Sequence, residues 1–273
     1  MSTAQRAVGL ALALLAGLAS LPAAAAELRL DGQLVQGGLI IGAAEAGAAV
    51  RLDGRNVRVA PDGGFVIGFG RDADPAARLD IDWPDGRRET RPLAIAKRQF
   101  DIQRIDGLPD AMVSPPAAVL QRIKDETAKV RAARAIDTPR QDFRAGFVWP
   151  ADGPISGVYG SQRILNGELR QPHFGLDIAA PEGAPVRAAA GGVVTLAADL
   201  YFTGLTVIIE HGHGVSSTYS HLSRMDVKPG RAVASGERIG AVGRTGRATG
   251  AHLDWRINWL DVRIDPALVV PPR

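Results

Sequence analysis

His173-Phe174-Gly175-Leu176-Asp177, Tyr219-Ser220-His221-Leu222 and His252-Leu253-Asp254 are the stretches on which the reading of this 273-residue chain turns. All five histidines (His173, His211, His213, His221 and His252) fall in this one window. Histidine is the commonest metal ligand and titrates near neutral pH, so its confinement here points to a single site. Two of the stretches hold a histidine and a carboxylate at even spacing. On an extended strand, even spacing puts both side chains on one face.

The surrounding chain reads as β-rich from Phe147-Val148-Trp149-Pro150 onward. Val193 to Leu196 and Thr206 to Ile209 are short apolar runs of buried-strand type, with glycine punctuating the rest. The run Ile239-Gly240-Ala241-Val242-Gly243-Arg244-Thr245-Gly246 lacks the Lys-Ser/Thr ending of a phosphate loop and is not a dinucleotide fingerprint. No Gly-x-Ser-x-Gly elbow occurs, so a serine hydrolase of that type is unsupported.

Upstream, Ser114-Pro115-Pro116 reads as a helix start. Val119, Leu120, Ile123, Thr127 and Val130 make an apolar stripe on the segment that follows, to about residue 135. Residues 27–107 read as a small immunoglobulin-like β-sandwich, with hairpin turns at Asp53-Gly54, Pro61 to Gly64 and Trp83 to Gly86. The expected organisation is a signal peptide over 1–26, the sandwich over 27–107, a linker with the helix over 108–140, and a catalytic β-sheet domain over 141–273. Arg6, the apolar run from Ala7 to Leu21 and the small residues Ala24-Ala25-Ala26 are what a cleavable secretory signal requires. No later segment predicts a membrane span.

Cysteine is absent, which removes disulfides, thiolate ligands and a thiol nucleophile. The net charge of +3 is too mild to argue for nucleic acid and is compatible with an anionic polymer such as cell wall. A catalytic zinc centre uses three protein ligands and keeps a position for water. His173, Asp177 and Asp254 are the three candidates, with His221 and His252 placed for proton transfer. Trp255 and Trp259 read as core. Arg163 and Asn166 are candidates for lining a groove.

In these motifs, and in His211-Gly212, Val227 to Gly230, Gly236, Thr245-Gly246 and Gly250, the segment 147–267 resembles the lysostaphin-type zinc endopeptidases, the LytM-domain (duplicated hybrid motif) peptidases. Their pattern is His-x-x-x-Asp, Tyr-x-His-Leu and His-x-His. The resemblance implies zinc held by His173, Asp177 and the residue at 254, catalysis by His221 and His252, and a structural place for His211 and His213, to which the family motif gives no zinc role. It implies a compact antiparallel β-sheet domain and the peptide cross-links of peptidoglycan as substrate, while an exported chain without cysteine points to the periplasm of a Gram-negative bacterium. It also implies an alternative: a regulator that activates cell-wall amidases, with amidases or division proteins as partners. One position departs from the pattern, because Asp254 stands where the family has histidine. One histidine and two carboxylates around Zn²⁺ sum to zero, against +1 for the usual set, and a less positive centre polarises water less. A harder ion such as Mn²⁺ suits such a donor set better than it suits two histidines.

Overall fold

The computed structural model describes residues 27–106 and 115–273. The expected signal segment and Ser114 lie outside the described residues. The chain is mainly β, with one α-helix among the described residues. Its N-terminal part forms two antiparallel sheets. One orders Arg29–Asp31, Leu39–Ala43 and Gly64–Gly68; the other orders Arg55–Val57, Ala49–Leu52, Ala76–Asp82 and Arg88–Ala94. Alternation drives them: in Ala76–Asp82, Leu79 and Ile81 are buried while their neighbours are not. Asp53 and Gly54 both have positive φ, 48° and 81°, as a two-residue hairpin turn requires.

The rest of the chain builds a ten-stranded antiparallel sheet. Its central strands are Gly204–Gly212, Val215–Met225, His252–Trp259 and Leu176–Ala179, in that order. Thr206 to Ile209 are buried as expected, whereas Val193, Thr195 and Leu196 are only half-buried. Trp255 and Trp259 lie in the core. A separate parallel pairing joins Ile102–Ile105 to Gln162–Leu165, which turns back antiparallel as Glu168–Leu169. The chain leaving the N-terminal sheets therefore contributes a strand beside the histidine-rich half.

The helix spans Leu120–Arg134, preceded by a 3-10 turn at Ala117–Val119. Its packed face differs from the expected stripe. Leu120 and Thr127 are exposed, and Val119, Ile123, Glu126, Val130 and Ala133 face inward. Glu126 is drawn in because it accepts the Tyr201 backbone N–H at 2.8 Å and an Arg122 bond at 2.6 Å.

One apolar cluster runs from Phe65 and Ile67 through Trp259 and Ile264 to the central strands. Gly68 lies at the junction. A Cβ there would meet Ile264 Cδ1 at 2.6 Å and Trp259 Cβ at 3.2 Å. His211 is fully buried, and Phe147 packs edge-on against its ring. Its Nδ1–H donates to the Gly191 carbonyl at 2.6 Å, and its Nε2 meets the Ser217 hydroxyl at 2.7 Å. Burial pushes its pKa down from 6.5 to about 4. His213 is also buried, beside Phe143.

Gly68→Val is expected to destabilise the chain by about 1–3 kcal/mol in urea unfolding, because the junction has no room for the side chain; an unchanged midpoint would contradict this packing. For His211 the native state stays neutral while the unfolded state takes up a proton below its ordinary pKa. The contribution is therefore fully present above pH 6.5 and is lost as pH falls toward 4. Between pH 7 and pH 5 stability is expected to fall by about 2 kcal/mol on this account, and a flat profile would speak against a buried neutral imidazole.

Candidate active site

Register sets the centre of the site. On the paired strands Leu176–Ala179 and His252–Trp259, Asp177 lies directly opposite Asp254, and Ala179 opposite His252. On the other side, Ser220 pairs with Asp254. Alternation along His252–Trp259 buries Leu253, Trp255 and Ile257 and turns His252, Asp254 and Arg256 to the opposite face. His252 and Asp254 thus share a face as the spacing predicts. His173 does not share a strand with Asp177, as it would if 173–177 were extended. It precedes the strand in a loop, tied by His173 N–H to the Ser161 carbonyl at 2.9 Å and by Gly160 N–H to its own carbonyl at 2.7 Å.

The loop still delivers the ring to the carboxylates. One ligand atom from each of His173, Asp177 and Asp254 lies within 4.8 Å of the others. His173 Nε2 is 3.0 Å from Asp177 Oδ1. Both ring nitrogens of His173 and Oδ1 of Asp177 are buried and make no hydrogen bond. Buried polar atoms left without hydrogen bonds are costly, so their convergence fits a cation-binding donor set.

Asp254 is different. Arg256 Nε donates to its Oδ1 at 2.8 Å and Arg256 Nη2 to its Oδ2 at 2.5 Å, a bidentate pair. The carboxylate is buried and the guanidinium half-buried. Burial pushes the Asp254 carboxyl upward, but the charge and hydrogen bonds of Arg256 outweigh it and hold the group well below the usual carboxylate range. Each oxygen keeps a second lone pair, so the pair orients the carboxylate without closing it to a metal.

His221 reaches the site through local strain. It lies in the strand Val215–Met225 with φ of 63°, where the pairing with Gly204–Gly212 shifts register between Tyr219 and Leu222. A bulge of this kind re-aims a side chain. Tyr219 goes to the core, where its hydroxyl accepts Ala189 N–H at 2.7 Å. His221 instead lines the groove with His252, the two rings 4.8 Å apart. His221 Nδ1–H donates to the Thr245 carbonyl at 2.7 Å, and His252 Nδ1–H to the Gly250 carbonyl at 2.9 Å. A carbonyl only accepts, so both rings keep Nε2 for the groove. Burial pushes the His221 pKa down, against an opposing pull from Asp254.

Residues that sequence reasoning missed make the room and the charge balance. A Cβ at Gly157 would lie 2.3 Å from Asp177 Oδ2, and one at Gly175 would lie 2.7 Å from Asp254 Oδ1. Both glycines are there because a side chain would invade the site. Arg256 stands two residues from Asp254 on the same strand face, and that period-two spacing is the one signal that could have found it. Arg163 lines the groove as expected, and its Nη2 lies 3.3 Å from Asp177 Oδ2. Asn166 sits exposed in the hairpin turn instead, with φ of 48°.

The sequence profile of peptidase family M23 matches residues 171–266. A solved structure from Pseudomonas aeruginosa assigned to peptidase M23 is 32% identical, with a TM-score of 0.68, and covers 86% of this chain and 94% of that one. The peptidoglycan DD-endopeptidase ShyA of Vibrio cholerae is 43% identical over 178 residues, 63% of this chain and 41% of ShyA. The DD-carboxypeptidase/endopeptidase Mpg of Neisseria meningitidis is 43% identical over 100 residues, 37% of this chain and 23% of Mpg. The chain thus spans about two fifths and about a quarter of the lengths of these two relatives. With the groove, the converging ligand atoms and the near full-length likeness to the Pseudomonas structure, the chain belongs to peptidase family M23.

Proposed function

We propose that the chain is an exported zinc endopeptidase that hydrolyses peptide bonds in peptidoglycan. The observation that carries this reading is the meeting of His173, Asp177 and Asp254 ligand atoms within 4.8 Å, two of the three residues having buried atoms without partners. His173, Asp177 and Asp254 would hold the metal. When bound, zinc supplies Lewis acidity to a carbonyl and makes water a better nucleophile. His221 Nε2, on a ring kept neutral by burial, accepts the proton of the attacking water. That proton then passes to the departing amine as the C–N bond breaks, with His252 Nε2, its ring 4.8 Å from that of His221, placed to relay it. The ShyA and Mpg names support peptide cross-links of the D,D type as the substrate. The features of residues 1–26 support export to the periplasm. Among the described residues no helix is long and apolar enough to cross a membrane.

Arg256 bears on the charge problem posed by Asp254. Asp254 and Arg256 together are neutral, as is the imidazole that the family pattern places at 254. Counted as a unit with His173 and Asp177 around Zn²⁺, they restore the sum of +1. A second reading, a regulator of cell-wall amidases, draws on the same contact. If Arg256 saturates Asp254, only His173 and Asp177 remain, and no working centre forms.

Peptidoglycan digested with the chain and zinc should release new muropeptides by mass spectrometry, lost with chelator and with His221→Ala. Absence of products and of bound metal would favour the regulator. Arg256→Gln should destabilise the metal-free chain by about 3–5 kcal/mol by leaving a buried carboxylate unpaired. Zinc should then raise the melting temperature of this variant more than that of the parent, because the metal supplies the missing counter-charge. Equal shifts would contradict a metal role for Asp254.

A further inference from the structure

The groove beside the site carries far more positive charge than the chemistry above uses. Five arginines and two carboxylates line its volume of about 680 Å³. Arg256 is engaged with Asp254. Three others face the same space from two segments. Arg163 and Arg170 lie across from one another on the hairpin turned at Asn166-Gly167, with Arg170 N–H donating to the Arg163 carbonyl at 2.9 Å. Like charges directly opposite each other on paired strands are destabilising. Each has a buried Nε that makes no hydrogen bond. Their other contacts, Arg163 with Asp177 and Arg170 with Glu168, leave those Nε–H donors unused. Arg247 enters from the opposite loop with its guanidinium 4.5 Å over the Phe202 ring. Burial pushes its pKa down, and the neighbouring charges of Arg163 and Arg170 push it further, which places all three in one field.

Inward Nε–H donors without acceptors on two guanidinium groups have one chemical complement, an oxyanion. Guanidinium groups match a carboxylate well because they donate two parallel N–H bonds. We propose that Arg163, Arg170 and Arg247 form an anion subsite next to the His173, Asp177 and Asp254 cluster, and that it takes a carboxylate of the substrate peptide borne on the residue adjoining the bond to be cut. The substrate's identity as a peptide rests on the endopeptidase reading; the anion subsite itself does not. The consequence is selectivity. A peptide with a free carboxylate beside the bond is preferred over its carboxamide, and added salt erodes the preference.

The test uses two probes, Nα-acetyl-lysyl-D-alanyl-D-alanine and its C-terminal carboxamide. Affinities are measured by titration calorimetry on the full chain carrying His221→Ala, and again with Arg170→Gln added. The free acid should bind roughly 10-fold tighter or more, as expected for charge-assisted bonds, and the preference should shrink to less than about 2-fold in the double variant. Equal affinities in the first chain, or the same preference in both, would overturn the subsite. Digestion of purified peptidoglycan by the unsubstituted chain is followed in parallel. Equal affinities for the two probes with release of muropeptides sink the subsite alone, whereas acid-selective binding without any hydrolysis of peptidoglycan sinks the endopeptidase reading and leaves the subsite standing.

Discussion

Two carboxylates that face each other across a pair of antiparallel strands are the constraint around which this molecule is arranged. Asp177 and Asp254 are register partners, both buried, in a position where like charges oppose pairing. Such an arrangement persists only with positive charge close by. Arg256 supplies it for Asp254 through two short hydrogen bonds, and Arg163 supplies part of it for Asp177. What remains is a buried Asp177 oxygen and both nitrogens of His173, which make no hydrogen bond although His173 Nε2 lies 3.0 Å from that oxygen. A divalent cation at the convergence of these atoms would complete the balance, and the glycines at 157 and 175 keep the space clear for both carboxylates.

The frame around this centre is rigid where the site needs rigidity and strained in one place. The buried cluster extending from Phe65 to Trp259 anchors the strands that carry Asp177 and Asp254. Among the described residues His221 is the one non-glycine residue inside a strand that has positive φ. Its positive φ at a register shift costs on the order of 1–3 kcal/mol, and its backbone N–H to Thr203 at 2.8 Å and ring bond to Thr245 hold the conformation. The strain brings to the groove a ring that alternation from Tyr219 would have sent to the core.

The mainly β architecture and the members of the site were legible because their signals are local. Alternation around Asp53-Gly54 and the short His/Asp motifs need no knowledge of distant chain. The parallel pairing of residues 102–105 with 162–165 was not legible, since nothing in either segment names a partner some sixty residues away. Nor was the turn of the His221 side chain, because a non-glycine residue at positive φ leaves no trace in composition. The helix shows the intermediate case. Its inward face includes Val119, Ile123 and Val130 as the apolar spacing implied, but Glu126 displaced Leu120 and Thr127 because a backbone donor at Tyr201 required an acceptor. Arg256 looked like any strand-surface charge until its bidentate contact to Asp254 was seen.

The central claim is that His173, Asp177 and Asp254 together hold one metal ion. Anomalous diffraction at the zinc edge from crystals grown with zinc tests it most directly. The account predicts a single strong peak about 2.0–2.2 Å from a His173 nitrogen and from one oxygen each of Asp177 and Asp254, with Arg256 still bonded to Asp254. A peak that touches only His173 and Asp177, or no peak in the groove at all, would contradict it.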